Sequence, residues 1–355
     1  MKTHARHRTA ASGRGTISGR PSAASEGPPV TRLTDGWGRR ISRLRLAVTD
    51  QCNFRCVYCR PRSSLAATRG RLLSADEIVT VADAAVGCGI ENIRLTGGEP
   101  LLREDLPEII HRLSGLAPGL DISLTTNGSL LAELAQPLAR AGLNRVNVSL
   151  DSLRGERFRS ITGSRSLDAV MAGLEAAERA GLRPIKVNVV ILRRLNDDEV
   201  VEMVTFAQAH RYHIRFIELM PLDGGQEWRP EAIVSIDEVR ARIENRFALT
   251  PLPDGGSPGD EYLLDAGPTR VSLIGSISHP FCDRCNRIRV TADGFLRLCL
   301  FSSSEHDLRP ALAAARPKQA LAKALVTAIA DKPIGHRIGQ PDFVRPHRTM
   351  SAIGG

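Results

Sequence analysis

The chain contains no apolar run approaching the roughly 18 to 20 residues that a membrane-spanning helix requires, so it reads as soluble. Seven cysteines among 355 residues are too few for a disulfide scaffold, and no apolar signal-peptide core precedes them. A reducing cytoplasm is the location expected. Acidic residues are nearly missing from residues 1–40, where two face eight Lys and Arg, and residues 331–355 carry two against four. With both ends set aside, 36 basic residues face 35 acidic ones. The net charge of +9 therefore belongs mainly to the ends, and the near-neutral body gives no reason to expect nucleic acid or a membrane surface as partner.

Length favours two unequal domains. Residues 1–40, rich in Arg, Ser, Gly and Pro, read as a solvated, disordered arm, with an organelle transit peptide as the alternative. From residue 41 short apolar runs at 44–48, 92–95, 121–125, 145–150, 185–192 and 214–219 alternate with helical patterns at 75–88, 104–113, 130–141, 167–180 and 197–209. The runs are β-branched and apolar, as in strands covered on both faces, and six βα units over 41–245 imply a parallel α/β sheet, doubly wound or curled into a barrel. In either form the working residues are expected at the C-terminal strand ends. A smaller region of Gly/Pro-rich loops and short strands follows at 246–330, then a polar tail, 331–355, ending in Gly354-Gly355. No internal repeat appears beyond the βα alternation.

Six of the seven cysteines form two groups of three: Cys52, Cys56 and Cys59 just after the first apolar run, and Cys282, Cys285 and Cys299 in the smaller region. The seventh, Cys88, reads as a small buried apolar residue in a helix. Three thiolates spaced three and then two apart suit a soft metal centre, and a cluster of four irons so held keeps one iron open. A zinc site and a redox dithiol are the competing readings. At the end of the second expected strand stands Thr96-Gly97-Gly98-Glu99-Pro100, whose paired glycines permit close backbone approach but, taken alone, mark an ordinary turn.

Together, the Cys52–Cys56–Cys59 loop after the first strand and the Gly-Gly segment after the second resemble the radical S-adenosylmethionine (SAM) enzymes. The text around the second group, Phe281 to Gly294 and Leu298 to Leu300, together with Lys186, Asn188, Glu218 and the terminal glycines, is similar to the GTP 3′,8-cyclase family of molybdenum cofactor biosynthesis. The resemblance runs from about residue 43 to residue 355. It implies a partial (βα)6 TIM-like barrel with a smaller C-terminal cluster-binding domain. It implies two 4Fe-4S clusters, one on each cysteine triad, the first chelating SAM at its open iron and the second meeting the guanine of GTP. Positions matching SAM contacts are Tyr58, Gly98, Ser149 and Met220; those matching GTP contacts are Arg45, Arg94, Thr125, Lys186, Arg287 and Arg289. Gly354 and Gly355 match a tail that reaches the active site. The implied reaction uses a 5′-deoxyadenosyl radical to take hydrogen from ribose C3′, after which C3′ attacks guanine C8. A flavodoxin or ferredoxin as electron donor, a downstream cyclic pyranopterin monophosphate synthase and a homodimeric assembly are compatible with it.

Three positions depart from the family pattern: Asn92 where Lys is frequent, Arg60 where Met or Leu is common, and Ala352 in place of Tyr. Two competing functions fit part of the pattern. A peptide-modifying radical enzyme would use auxiliary clusters but has no use for the Arg287/Arg289 pair, and a zinc or Fe–S regulator of nucleic acid would use the basic arm but not the strand-end residues.

Overall fold

A computed structural model describes residues 32–59, 70–222, 229–256 and 258–354. Most of the basic arm, Arg60 and Gly355 lie outside the described residues. The first part of the body alternates strand and helix: β1 Arg43–Thr49, α1 Ala75–Gly87, β2 Asn92–Gly97, α2 Leu106–Ser114, β3 Asp121–Thr126, α3 Leu131–Arg140, β4 Arg145–Ser149, α4 Gly155–Thr162, α5 Leu167–Arg179, β5 Lys186–Ile191, α6 Val200–His210 and β6 His213–Glu218. Then follow α7 Ile236–Glu244, β7 Leu249–Pro251, β8 Asp260–Leu264, β9 Arg270–Ile274, β10 Arg287–Val290, β11 Phe295–Arg297, β12 His306–Asp307, α8 Arg309–Leu312, α9 Pro317–Ile329 and α10 Met350–Ile353.

Among the described residues these strands make one sheet in the order β12-β11-β10-β1-β2-β3-β4-β5-β6-β9-β8-β7. Strands β10 through β9 in that order are parallel, and antiparallel strands finish both edges. This is the partial barrel expected, extended on both sides by the C-terminal strands. The helices cover one face. Leu44, Leu46, Ile93, Leu95, Ile122, Leu124, Val146, Val187 and Phe216 point outward and are buried against Ile78, Val81, Ile109, Leu138, Val170 and Val204 in a single core. Burying such a side chain contributes roughly 1.5–3 kcal/mol each, so this layer sets the register of every parallel strand.

The other face corrects the expectation of strands apolar on both sides. Alternate residues Arg43, Arg45, Arg94, Ser123, Thr125, Ser149, Lys186, Asn188 and Arg215 border cavities inside the curl instead of helices. Residues 32–40, assigned to the arm by composition, pack on the body. Leu33 is buried, its amide donates to the Cys88 carbonyl, and its own carbonyl accepts from Ile41. A short apolar residue among charges gave little sign of this. Cys88 is buried, as a small apolar residue should be. Capping boxes start α1 (Ser74 with Glu77) and α7 (Ser235 with Glu238). Glu218, at the end of β6, turns away from the cavity and accepts from the amides of Ile236, Ile277 and Ser278, clamping α7 and the loop after β9 to the barrel. No helix among the described residues is long and apolar enough to cross a membrane.

Candidate active site

The first cysteine triad grows out of β1, where the register with β2 shifts between Ala47 and Thr49. The amides of Arg55 and Val57 donate to the carbonyls of Thr162 and Ile161, and Phe54 meets Phe158 edge to face at 5.9 Å, so the C-terminal part of α4 anchors the loop. On its other side lies the Gly97-Gly98 segment. The Gly98 amide donates to the Thr49 carbonyl at 2.8 Å and the Glu99 amide to that of Gln51 at 2.6 Å. A Cβ on Gly97 would stand 2.1 Å from the Thr49 carbonyl oxygen, and one on Gly98 2.1 Å from that of Gln51. Gly97 also has φ +146°. The glycines are thus required by the thiol loop itself, against which they are zipped.

Glu99 is buried and accepts from the amides of Leu101 and Asn127 and from the Thr126 hydroxyl, so it joins the ends of β2 and β3. Burial raises its carboxyl to about 7 against those three donors. Because all three partners donate, Glu99→Gln sets an amide NH2 against a donor, and a loss of about 1–3 kcal/mol is expected, measured as a lowered melting temperature. Opposite, the Tyr58 hydroxyl donates to Asp151 Oδ2 at 2.6 Å and the Val190 amide to Oδ1 at 2.9 Å. Burial lifts Asp151 to about 6 and holds the Tyr58 phenol well above its ordinary value. Burial, then the Asp151 charge, keeps the Cys56 thiol well above its ordinary value as well. A thiol so placed is held as thiolate only by a metal.

The second triad is built around the β10–β11 hairpin, with Cys282 in a short 3-10 turn, Cys285 two residues before β10 and Cys299 two residues after β11. Burial opposes ionisation of Cys285, but the charges of Arg287 and Lys332 outweigh it and hold that thiol below its ordinary value. All six cysteines border one cavity. Among the described residues no three His, Cys, Asp or Glu side chains converge closely enough for a single metal ion. A polynuclear cluster does not require that, because each thiolate takes a different iron, and the all-thiol donor sets suit Fe–S chemistry.

Between the triads lies a ladder of cations. Arg45 is in register with Arg94 on one side and Arg289 on the other, and Arg43 with Arg287. Along the β1–β10 pair the order runs from Cys285, past Arg287 and Arg289, to Cys52. Seven residues of β1 make that span about 20 Å at ~3.3 Å per residue. The second triad therefore stands at the starts of the strands, and the first at their C-terminal ends. Burial, then the charges of Arg289, Arg94, Arg287 and Arg215, pushes Arg45 well below its ordinary value. Burial and Arg287 bring Arg289 down to about 9; burial and Arg215 bring Lys186 down to about 7. Among the described residues no carboxylate ion-pairs with Arg45, Arg94, Arg215, Arg287 or Arg289. Like charges enclosed together without counter-charge are unfavourable, and an arriving polyanion relieves them.

Of the residues expected from the sequence, Tyr58, Gly98, Ser149, Met220, Arg45, Arg94, Thr125, Arg287, Arg289 and both triads border this cavity. Lys186 does not. It lines an adjoining chamber nearer the strand starts, which shares Arg45, Arg94, Arg215 and Arg287 with the first. Gly354 packs beside the barrel strands. Its carbonyl accepts from Arg289 at 3.0 Å, and a Cβ there would stand 3.0 Å from that of Ala47 and 3.1 Å from Thr96 Cγ2. Arg215 and Arg43 were not singled out from sequence. Alternation along β6 could have found Arg215, since Arg215 and Ile217 share the inward face. Arg43 lies in register with Asn92 and so brings a cation to the place where the family often has Lys.

Comparison with known proteins identifies the family. The Radical SAM superfamily matches residues 46–207 and the Molybdenum Cofactor Synthesis C family residues 212–338. A GTP 3′,8-cyclase of Streptomyces coelicolor is 45% identical over 95% of this chain and 99% of its own, and GTP 3′,8-cyclase 2 of Mycobacterium tuberculosis is 45% identical over 92% and 93%. Among solved structures, Streptococcus suis SuiB matches with a TM-score of 0.61 at 14% identity, covering 84% of this chain and 68% of its own, a likeness of fold alone. By identity over nearly the full length of both chains, this protein belongs to the radical SAM superfamily, in the family of the GTP 3′,8-cyclases.

Proposed function

We propose that the chain converts GTP to (8S)-3′,8-cyclo-7,8-dihydroguanosine 5′-triphosphate, the first step of molybdenum cofactor biosynthesis. The observation that carries this reading is the placement of an unpaired cation ladder between two thiol triads in one cavity. When bound, a 4Fe-4S cluster on Cys52, Cys56 and Cys59 with SAM supplies one-electron cleavage and a hydrogen-abstracting carbon radical. Tyr58, Gly98, Ser149 and Met220 border the space for SAM, with Ser149 placed to hydrogen-bond a ribose hydroxyl. Cys282, Cys285 and Cys299 would hold the second cluster at the guanine end. Arg45, Arg94, Arg287, Arg289, Thr125 and Lys186 receive the nucleotide, with Arg215 and Arg43 added by the geometry. Their fixed forks neutralise phosphate oxygens without rearrangement. Gly354 holds the tail beside the nucleotide site through its carbonyl on Arg289.

We further place the reaction in the cytoplasm, with a flavodoxin or ferredoxin as reductant, a homodimer as the assembly, and a cyclic pyranopterin monophosphate synthase as consumer of the product. The deciding experiment is anaerobic incubation of cluster-loaded protein with GTP, SAM and dithionite. Appearance of the cyclised triphosphate together with 5′-deoxyadenosine is expected, and 5′-deoxyadenosine without any GTP-derived product would sink the assignment of substrate.

Lys186 makes binding pH-dependent. With its ammonium pushed down to about 7, it is mostly neutral at pH 8, and a polyanion beside it restores the charged form. GTP binding at pH 8 is expected to take up approaching one proton per nucleotide, and affinity to fall as pH rises through 7. Calorimetry in two buffers of different ionisation enthalpy reads the uptake, which Lys186→Met should remove.

A further inference from the structure

The ligand-bearing segments of the second triad are tied together from behind the cavity. Lys332 follows α9 and is 3% exposed. Its Nζ donates to the Arg287 carbonyl at 3.0 Å and also to the Leu298 carbonyl. Arg287 is two residues past Cys285, and Leu298 directly precedes Cys299. One ammonium thus joins the two segments that present these thiols. The chain after Lys332 wraps the third ligand: a Cβ on Gly335 would stand 3.0 Å from that of Cys282 and 3.3 Å from its Sγ. The strap is itself fastened. Trp37 Nε1 donates to the Lys332 carbonyl at 3.0 Å, and Arg39 donates to the carbonyls of Cys282 at 2.5 Å, Pro333 at 2.6 Å and Ile334 at 2.7 Å.

Among the described residues no carboxylate ion-pairs with Lys332. Asp35, a carboxylate whose charge acts on it, is occupied by Arg39 at 2.7 Å. The other groups whose negative charge would act on it are the Cys285 and Cys299 thiols. Two carbonyls take two of its three hydrogens but bring no counter-charge, and a buried charge left uncompensated costs several kcal/mol. Thiolates bound to an Fe–S cluster supply that negative charge permanently.

We propose that Lys332 is a positioning residue for the second cluster, fixing the Cys285 and Cys299 segments relative to each other and holding a positive charge behind the cluster that raises its reduction potential. This rests on the cluster part of the proposed function. The test uses full-length protein with Cys52, Cys56 and Cys59 all changed to Ala, so that only the second site can load. This parent, Lys332→Met and Lys332→Gln are reconstituted anaerobically with iron and sulfide, melted, assayed for iron, and titrated potentiometrically by EPR. Both neutral variants are expected either to be about tenfold less reduced than the parent at a fixed potential, ~59 mV for one electron, or to melt cooperatively yet fail to retain iron. Gln keeps a donor for a carbonyl, so a Gln variant with the parent's iron and potential overturns the charge role even if Met unfolds. Loss of cooperative melting in both variants also overturns the proposal, because it makes Lys332 a determinant of the fold. A parent that binds no cluster would instead refute the reading on which it rests.

Discussion

Cys52→Ser is expected to bring SAM cleavage and GTP cyclisation to background together, whereas Cys282→Ser loses cyclisation but keeps some uncoupled cleavage. A serine hydroxyl is a hard, protonated donor that cannot replace a thiolate on a soft centre, and losing a direct ligand should exceed the roughly 10–100-fold cost typical of outer-shell changes. The asymmetry follows from placement. Cys52 lies on the loop zipped to Gly97-Gly98, next to the space assigned to SAM, while Cys282 lies beyond the cation ladder, roughly the length of β1 away. Parallel measurement of 5′-deoxyadenosine and cyclised nucleotide separates the two effects. Undiminished cyclisation in either variant would falsify the two-cluster arrangement.

Arg289→Ala should move two quantities in opposite senses. Removing a hydrogen-bonded charge from a desolvated site typically costs 2–5 kcal/mol of binding, so GTP affinity is expected to fall on the order of 30- to several-thousand-fold. In the unliganded protein, however, Arg289 is the strongest charge acting against Arg45, and burial and Arg287 already disfavour its own charged form. Deleting it relieves that repulsion at the expense of one hydrogen bond to Gly354, worth about 1 kcal/mol. The ligand-free melting temperature is therefore expected not to fall. Titration calorimetry and thermal melts on one preparation check both halves, and a GTP affinity within threefold of the unaltered protein would remove Arg289 from the phosphate site. Such opposition of binding and stability is the usual mark of a site assembled for its ligand.

The barrel was legible because its outward faces obey simple rules. Leu44, Leu46, Ile93 and Leu95 repeat at period two, and the helices between them carry apolar stripes, so six strands and five helices could be placed from the sequence. Helix α4 was not, since only Phe158 and Ile161 break its polar text, yet it anchors the thiol loop. Nor could sequence show that β9 and β10 flank the six-stranded core on opposite edges, because four- and five-residue strands carry too little pattern to name distant partners. The triads were visible as spacing. Their separation along β1, with the cations between, required the register of β1 with β10, which no local signal encodes. Arg215 was hidden by its isolation within an apolar strand, although that isolation is what marks an inward residue.

The position of β10 also orders events during synthesis. Of the described strands of the sheet β1 is made first, and β2 can satisfy one of its edges early. Its other edge waits for Arg287–Val290, made after every other parallel strand, β2 to β6 and β9, has been synthesised. Through that interval the nascent chain presents an open row of amides and carbonyls, the feature that invites pairing with another molecule. Arg43 and Arg45 lie on that strand, and charged side chains of this kind discourage such pairing. The cations assigned to the nucleotide in the proposed function would thus act first as guards of an unfinished edge, and a fragment ending before residue 287 should aggregate rather than persist as an isolated barrel.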